Sequence, residues 1–187
     1  MTLKNKWIDI LYNVATGSRN VRKFFTPMGA IFYSLLLFVF VVIALHADRL
    51  IGLANIFPNP LNIILSLPIF SLALFLMGWS VQNFLKAKGS PVPFNPPPKL
   101  VTTGPYAYTR NPMLTGVFSL LLGFGVLFGS VFLLIVFTPL FIFINFWELK
   151  SIEEPELEKR LGEEYIEYRK RTPMFFPNLR IIFGKKE

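Results

Sequence analysis

An all-α integral-membrane fold with about four transmembrane helices is predicted by three features of this 187-residue chain. Long stretches carry no charge, charged residues are scarce overall, and basic residues alternate between successive connections. Charged residues make up 16% of the chain and hydrophobic ones 53%, whereas soluble domains carry about a quarter charged residues. The length suits a single domain over residues 1–187.

Three charge-free stretches organise the chain. Thr26–Leu45 holds 20 residues rich in Phe, Leu and Val. Leu50–Leu85 holds 36, but Pro58, Asn59, Pro60 and Asn62 interrupt its first part, leaving Leu61–Leu85 as the helix. Asn111–Trp147 holds 37, nearly twice the roughly 20 residues that a single helical crossing needs. Gly129-Ser130 in its middle marks a turn, so the stretch reads as a helical hairpin. The expected spans are therefore about 27–46, 61–85, 113–128 and 131–147. A cleaved signal peptide would begin nearer the N-terminus and be followed by small residues, neither of which holds for the first stretch.

Loop charge gives the expected orientation. Basic residues number five before the first span, one in the first connection, four in the second, none in the hairpin turn and nine after Trp147. That alternation fits a multi-pass protein with both termini, the loop 86–112 and the tail 148–187 in the cytoplasm, at the inner membrane if the cell is bacterial. The net charge of +8 thus reflects loops facing an anionic leaflet rather than a nucleic-acid partner.

Two segments lie outside the spans. Residues 3–14 mix Leu3, Trp7, Ile8, Ile10, Leu11 and Tyr12 with Lys4, Lys6 and Asp9, which suits either an interfacial helix or a frayed basic terminus. In the tail, Ser151-Ile-Glu-Glu154 fits a capping box, and Pro155 suits the first helical turn after it. Glu153, Leu157, Leu161, Tyr165 and Tyr168 recur at intervals of four and three, which places them on one face. Glu156 with Arg160 and Glu167 with Arg171 read as i,i+4 pairs on the exposed side. The tail is thus predicted to be a cytoplasmic amphipathic helix whose inward face is headed by a carboxylate.

Several chemistries are excluded. With no cysteine there is no disulfide, thiolate metal site or cysteine nucleophile, and the one histidine, His46, leaves too few nitrogens for an ordinary zinc site. His46 also falls on the membrane face opposite the loop and tail, which rules out a Ser-His-Asp triad there. No Gly-rich phosphate loop follows a strand pattern. Ser119-xxx-Gly123 and Gly125-xxx-Gly129 are spaced for close helix packing. The loop from Gly89 to Pro112 is more distinctive. Six prolines between 91 and 105 make it extended and stiff, Thr103-Gly104-Pro105-Tyr106 reads as a turn, and Pro112 suits a helix start. On spacing alone it is either a rigid strap with a snorkelling Arg110 or part of a site.

The run Pro93-Phe-Asn-Pro-Pro-Pro-Lys-Leu-Val-Thr-Thr-Gly-Pro-Tyr-Ala-Tyr-Thr-Arg-Asn-Pro-Met113 resembles the signature loop of the isoprenylcysteine carboxyl methyltransferase family and its bacterial relatives. These belong with the membrane phospholipid methyltransferases. The tail from Glu153 to Pro177 is similar to the second block of that family: Glu-Glu, a Leu, Gly-x-x-Tyr-x-x-Tyr, a basic residue and two prolines. The two blocks flank a helical hairpin in the family's order.

The resemblance implies an integral-membrane enzyme that uses S-adenosylmethionine (SAM) to methylate a hydrophobic, lipid-like or prenylated acceptor drawn from the bilayer. On the family pattern Lys99, Leu100, Val101 and Tyr106 line the cofactor site. The Arg-His-Pro-x-Tyr element falls on Arg110, Asn111, Pro112, Met113 and Leu114, and the tail Glu falls on Glu153. Arg110, Asn111 and Glu153 would then be the catalytic residues, with Glu153 binding the methionine ammonium or a ribose hydroxyl. The chain departs from the pattern in having Asn111 for His, Leu114 for Tyr, and Leu149 where a substrate-contacting Arg is expected. Two other readings are a small non-enzymatic membrane scaffold or accessory protein, and an NADPH-dependent sterol-type membrane reductase. The reductases' cysteine-bearing tail has no counterpart here.

Overall fold

The computed structural model describes residues 3–90 and 95–177. Pro91 and Pro93 of the expected strap, and the basic residues Arg180, Lys185 and Lys186, lie outside them. The described residues are helical, with no strand among them. In order they form α1 (Leu3–Thr16), α2 (Arg19–Ile51), α3 (Leu61–Lys86), a 3-10 turn (Gly104–Ala107), α4 (Pro112–Phe128), α5 (Thr138–Glu148), α6 (Glu154–Leu161) and α7 (Glu163–Arg171). Phe24–Ile51, Leu61–Lys86 and Leu133–Leu161 are long and apolar enough to cross a membrane, and Pro112–Phe128 is a shorter apolar helix.

Helix ends follow local chemistry. α2 stops at Gly52 and α4 at Gly129, both left-handed (φ 71° and 59°), with their N–H groups returning to carbonyls of the preceding turn. Only glycine adopts that conformation cheaply, so the Gly129-Ser130 turn forms where expected. Pro112 opens α4, where its missing N–H costs nothing. α2 begins earlier and ends later than the 27–46 expected and carries Pro27 inside it. It extends because Asp48 is buried against the hairpin rather than left in a polar connection.

The largest correction concerns the last span. It does not end near Trp147 with a new helix capped at Ser151. Leu133–Leu161 is one continuous rod in which two π-helical turns, Leu133–Phe137 and Leu149–Glu153, flank α5. Ser151 lies inside the second π turn, so no chain end is there to cap. Each π turn holds an extra residue relative to an α turn and rotates the face that follows. The second one carries the buried face of α5 (Phe141, Asn145, Leu149) on to Glu153 and Leu157.

The core is aromatic. Ala44, Val117, Phe118, Leu121, Leu133 and Phe141 form its centre, and the Phe141 ring meets Tyr33, Phe40 and Phe118 edge-on at 5.6–6.1 Å. Between helices in lipid, close packing has to supply what the hydrophobic effect supplies in water. α3 and α4 make the most extensive contact, and small residues allow it. A Cβ at Gly116 would lie 2.7 Å from Met77 Cγ and 3.0 Å from the Ala73 carbonyl, and one at Gly123 would lie 2.6 Å from the Phe70 ring. α1, the loop before α4, α6 and α7 gather at one end of this bundle, and the hairpin turn lies at the other.

Candidate active site

The described residues of the loop reach the site by a series of backbone bonds. The Ser90 N–H donates to the Asn95 carbonyl at 2.8 Å, closing the loop's base. Gly104 takes a left-handed turn (φ 62°) against Asn83 and swings Tyr106 under the loop, where its ring meets Phe84 edge-on at 5.0 Å. Further on, the Arg110 and Asn111 N–H groups donate to the Pro173 and Met174 carbonyls at 2.8 and 3.1 Å. The Asn111 side-chain amide also donates to the Met174 carbonyl, at 3.3 Å. Loop and tail are therefore stitched together beside the site.

Charge is arranged in pairs. The Arg110 guanidinium bonds to Glu154 and also reaches the Tyr165 hydroxyl at 3.3 Å. Arg110 and Glu154 side chains keep only 12% and 11% of their exposure, so the pair is nearly dry. Arg160 Nε donates to Glu156 at 2.7 Å, one turn along the same helix. That pair is buried (13% and 7% exposed) and not on the outer surface as the i,i+4 spacing was read. Glu167 pairs with Lys170 at 2.9 Å rather than with Arg171. Burial pushes the Tyr165 hydroxyl's pKa up to about 12, with the Glu154 charge adding to it, and burial also raises Tyr106 and Tyr168. All three phenols stay neutral and serve as hydrogen-bonding groups.

Between these elements lies a cavity of about 110 Å³. Its loop wall is formed by Lys99, Leu100, Val101, Tyr106, Arg110 and Asn111, and its helical wall by Leu149, Glu153, Leu157, Leu161, Tyr165 and Tyr168. Every residue on the predicted inward face of the tail thus borders one space. Glu153 differs from Glu154 and Glu156, the other acids of the cavity wall: among the described residues, no hydrogen bond or ion pair engages its carboxylate.

Of the residues predicted to bind a cofactor, Lys99, Leu100, Val101, Tyr106, Asn111 and Glu153 meet at this cavity together with Arg110. Pro112, Met113 and Leu114 are not in its walls. Pro112 is buried at the helix start and Leu114 packs on the hydrophobic core. Sequence reasoning missed Phe84, Glu154 and the inward turn of Glu156 and Arg160. For the last two the signal was available, since they stand three and seven residues beyond Glu153, close to a helical repeat on the same face.

Fold and site together define a helical membrane protein with an acid- and tyrosine-lined cavity closed between a loop and a C-terminal segment. The phospholipid methyltransferase family model matches residues 61–164, which contain the loop, the hairpin and α6. The chain belongs to that family. It is 36% identical over 78 residues to a protein-S-isoprenylcysteine O-methyltransferase of Schizosaccharomyces pombe, covering 42% of this chain and 33% of the relative. It is 34% identical over 84 residues to the nickel-cobalt-cadmium resistance protein NccN of Alcaligenes xylosoxydans xylosoxydans, covering 45% and 38%. The chain thus aligns with about a third of the length of each of these relatives.

Proposed function

We propose that this protein is a multi-pass, SAM-dependent methyltransferase that modifies a hydrophobic, lipid-like or prenylated acceptor. Its four crossings put both termini and the 86–112 loop in the cytoplasm, as the alternation of loop charge requires. The observation that carries the reading is the Glu153 carboxylate, facing the cavity shared by Tyr106 and Asn111 without a cation of its own.

The cavity's chemistry suits SAM. An unpaired carboxylate is the natural partner for an ammonium or a ribose hydroxyl, and the Tyr106 ring with Leu100, Val101 and Leu157 offers an apolar surface for a purine. When bound, SAM supplies an electrophilic methyl group. In-line displacement then depends on alignment and a dry site more than on a strong acid or base. This chain provides both. Arg110 gives one guanidinium nitrogen, Nη1, to both Glu154 and Tyr165, which positions the loop against the tail, while its buried Nε has no partner among the described residues and is left for a ligand. Asn111, anchored to Met174, keeps the rest of its amide for orienting a ligand. Tyr106, Tyr165 and Tyr168 with the paired acids Glu154 and Glu156 of α6 seal the cytoplasmic side against water.

Equilibrium binding of radiolabelled SAM to detergent-purified protein tests the reading. Wild type should bind with a dissociation constant in the range of roughly 1 µM to 1 mM typical of enzyme KM values. Glu153→Gln should weaken binding about tenfold or more, since a hydrogen bond to a charged group is worth about 1.5–3 kcal/mol. Asn111→Ala should weaken it as well, while His46→Ala, far from the cavity, should not. Absence of binding by wild type, or wild-type affinity in Glu153→Gln, overturns the assignment.

A further inference from the structure

The cavity has a wall that belongs to neither family block. Leu11 of α1 lines it, reaching in beside Leu157 and Leu161. α1 packs on the α6 side, where Leu11 lines the cavity and the Tyr12 ring lies under Lys159, and Ile8 and the buried Ala15 share their helical face. The ion pair that helps to hold it there is weak. Lys159 reaches Asp9 at 2.9 Å and sits 4.4 Å above the Tyr12 ring, but both partners of the ion pair are solvent-accessible, at 47% and 37%. An exposed pair of this kind contributes little.

The apolar surface of α1 continues past what the protein covers. Trp7 and Ile10, one turn apart and adjoining the Leu11 face, are 55% and 48% exposed. Lys4 and Lys6 stand exposed at the same end. Two residues, Gly17 and Ser18, join α1 to α2, whose membrane-crossing part begins at Phe24. α1 is therefore tethered within reach of a bilayer surface. A tryptophan beside lysines is the composition that settles into an anionic interface, the ring among headgroups and the ammonium groups against lipid charge.

We propose that α1 is a membrane-seated lid: an anionic bilayer surface holds its Trp7–Ile10 side, and that seat keeps Leu11 in the cavity wall. The inference goes beyond the enzymatic reading and does not depend on which ligand the cavity takes. It makes access to the cavity depend on the lipid around the protein.

The cysteine-free chain makes a direct test possible. Leu157→Cys and, in parallel, Leu161→Cys put one thiol in the cavity wall, and Glu163→Cys puts one on the exposed start of α7 as a control. Each protein is reconstituted in nanodiscs of phosphatidylglycerol or of phosphatidylcholine, and its rate of labelling by a polar maleimide is measured. The cavity thiols should label at least about fivefold faster in phosphatidylcholine, since each lysine near an anionic surface is worth about that factor. Adding Trp7→Ser and Ile10→Ser should raise the rate in phosphatidylglycerol to the phosphatidylcholine level, with Glu163→Cys unchanged throughout. Cavity labelling that ignores both lipid charge and the α1 substitutions, including no labelling in any condition, overturns the lid. Protection of the thiols by added SAM is a separate readout: its absence counts against the cofactor reading and leaves the lid standing.

Discussion

The Tyr168 hydroxyl donates to the Tyr106 carbonyl oxygen across 2.7 Å, and this buried bond fastens α7 to the signature loop. Both rings border the cavity, and both residues are nearly inaccessible, at 3% and 6% exposed. Tyr168→Phe keeps the ring and removes the donor, leaving a buried carbonyl without its partner. The expected cost is about 1–3 kcal/mol, read as a lower midpoint in thermal unfolding of the detergent-solubilised protein. Because the bond also fixes Tyr106, SAM binding should weaken in the same variant. Unchanged unfolding would mean that water replaces the hydroxyl and that loop and tail are held elsewhere.

Arg110 and Glu154 are the second fastening, and here the sign of the effect depends on what is removed. A nearly dry ion pair gains little over an apolar pair of similar volume, but breaking one side strands the other charge. Arg169 Nη1 also stands 3.6 Å from Glu154, so Arg110→Met should destabilise by less than the ~3–5 kcal/mol of a fully stranded buried charge. Glu154→Gln, which keeps an acceptor for the guanidinium, should cost less. The double variant Arg110→Met with Glu154→Met should recover much of the single loss, a coupling measurable in a double-mutant cycle. Additive losses would show that the two side chains act independently.

Much of this architecture was legible in the sequence because it rests on periodic or local signals. The charge-free stretches marked the helices, Gly129 marked the hairpin, and the spacing of Glu153, Leu157, Leu161, Tyr165 and Tyr168 marked a face that borders the cavity. What the sequence could not convey was long-range choice. Nothing local says that Arg110 selects Glu154 rather than Glu153, 44 positions away against 43. The π turn at Leu149–Glu153 was likewise invisible. Ser151 and Glu154 fit a capping box by residue type, yet the rod continues because the inner face of α5 is prolonged through Leu149 to Glu153. Glu156 and Arg160 were read as a surface pair because charge alone suggests solvent. Their burial reflects their place in the cavity wall, on the side where α1 packs against α6.

Helix packing makes a sharper prediction at glycine. Gly116 brings α4 so close to α3 that a Cβ would meet the Ala73 carbonyl, which is backbone and cannot step aside, as well as Met77. Gly116→Val should push the helices apart and cost about 1–3 kcal/mol, the usual range for overpacking. Gly78 in α3 is the matched control, since a Cβ there has no neighbour within 4 Å. Gly78→Ala should be neutral, or stabilising by about 0.5–1 kcal/mol as a glycine removed from a helix interior. Unfolding in detergent separates the two, and equal effects would mean that the α3–α4 spacing does not limit stability.

At the far end of the bundle, Asp48 caps the start of the rod that runs on to Leu161. The Ser130 hydroxyl donates to one Asp48 carboxylate oxygen and the Phe132 N–H to the other, at 3.1 Å, while the Leu133 N–H donates to Ser130 Oγ at 3.0 Å. The last turn of α2 thereby supplies an anion to the open N-terminus of the next rod, where the helix dipole and the free N–H groups favour it. Asp48 is 8% exposed, so little water can substitute. Asp48→Ala should therefore cost about 2–3 kcal/mol, combining a lost cap with stranded donors. Asp48→Asn, which retains an acceptor but not the charge, should cost about half as much. None of these residues lines the cavity, so SAM affinity measured below the unfolding transition should stay within about twofold of wild type, a difference smaller than 0.5 kcal/mol. A large affinity loss in Asp48→Asn with little change in unfolding would reverse the reading, making the Asp48–Ser130 contact a coupling to the site rather than a cap.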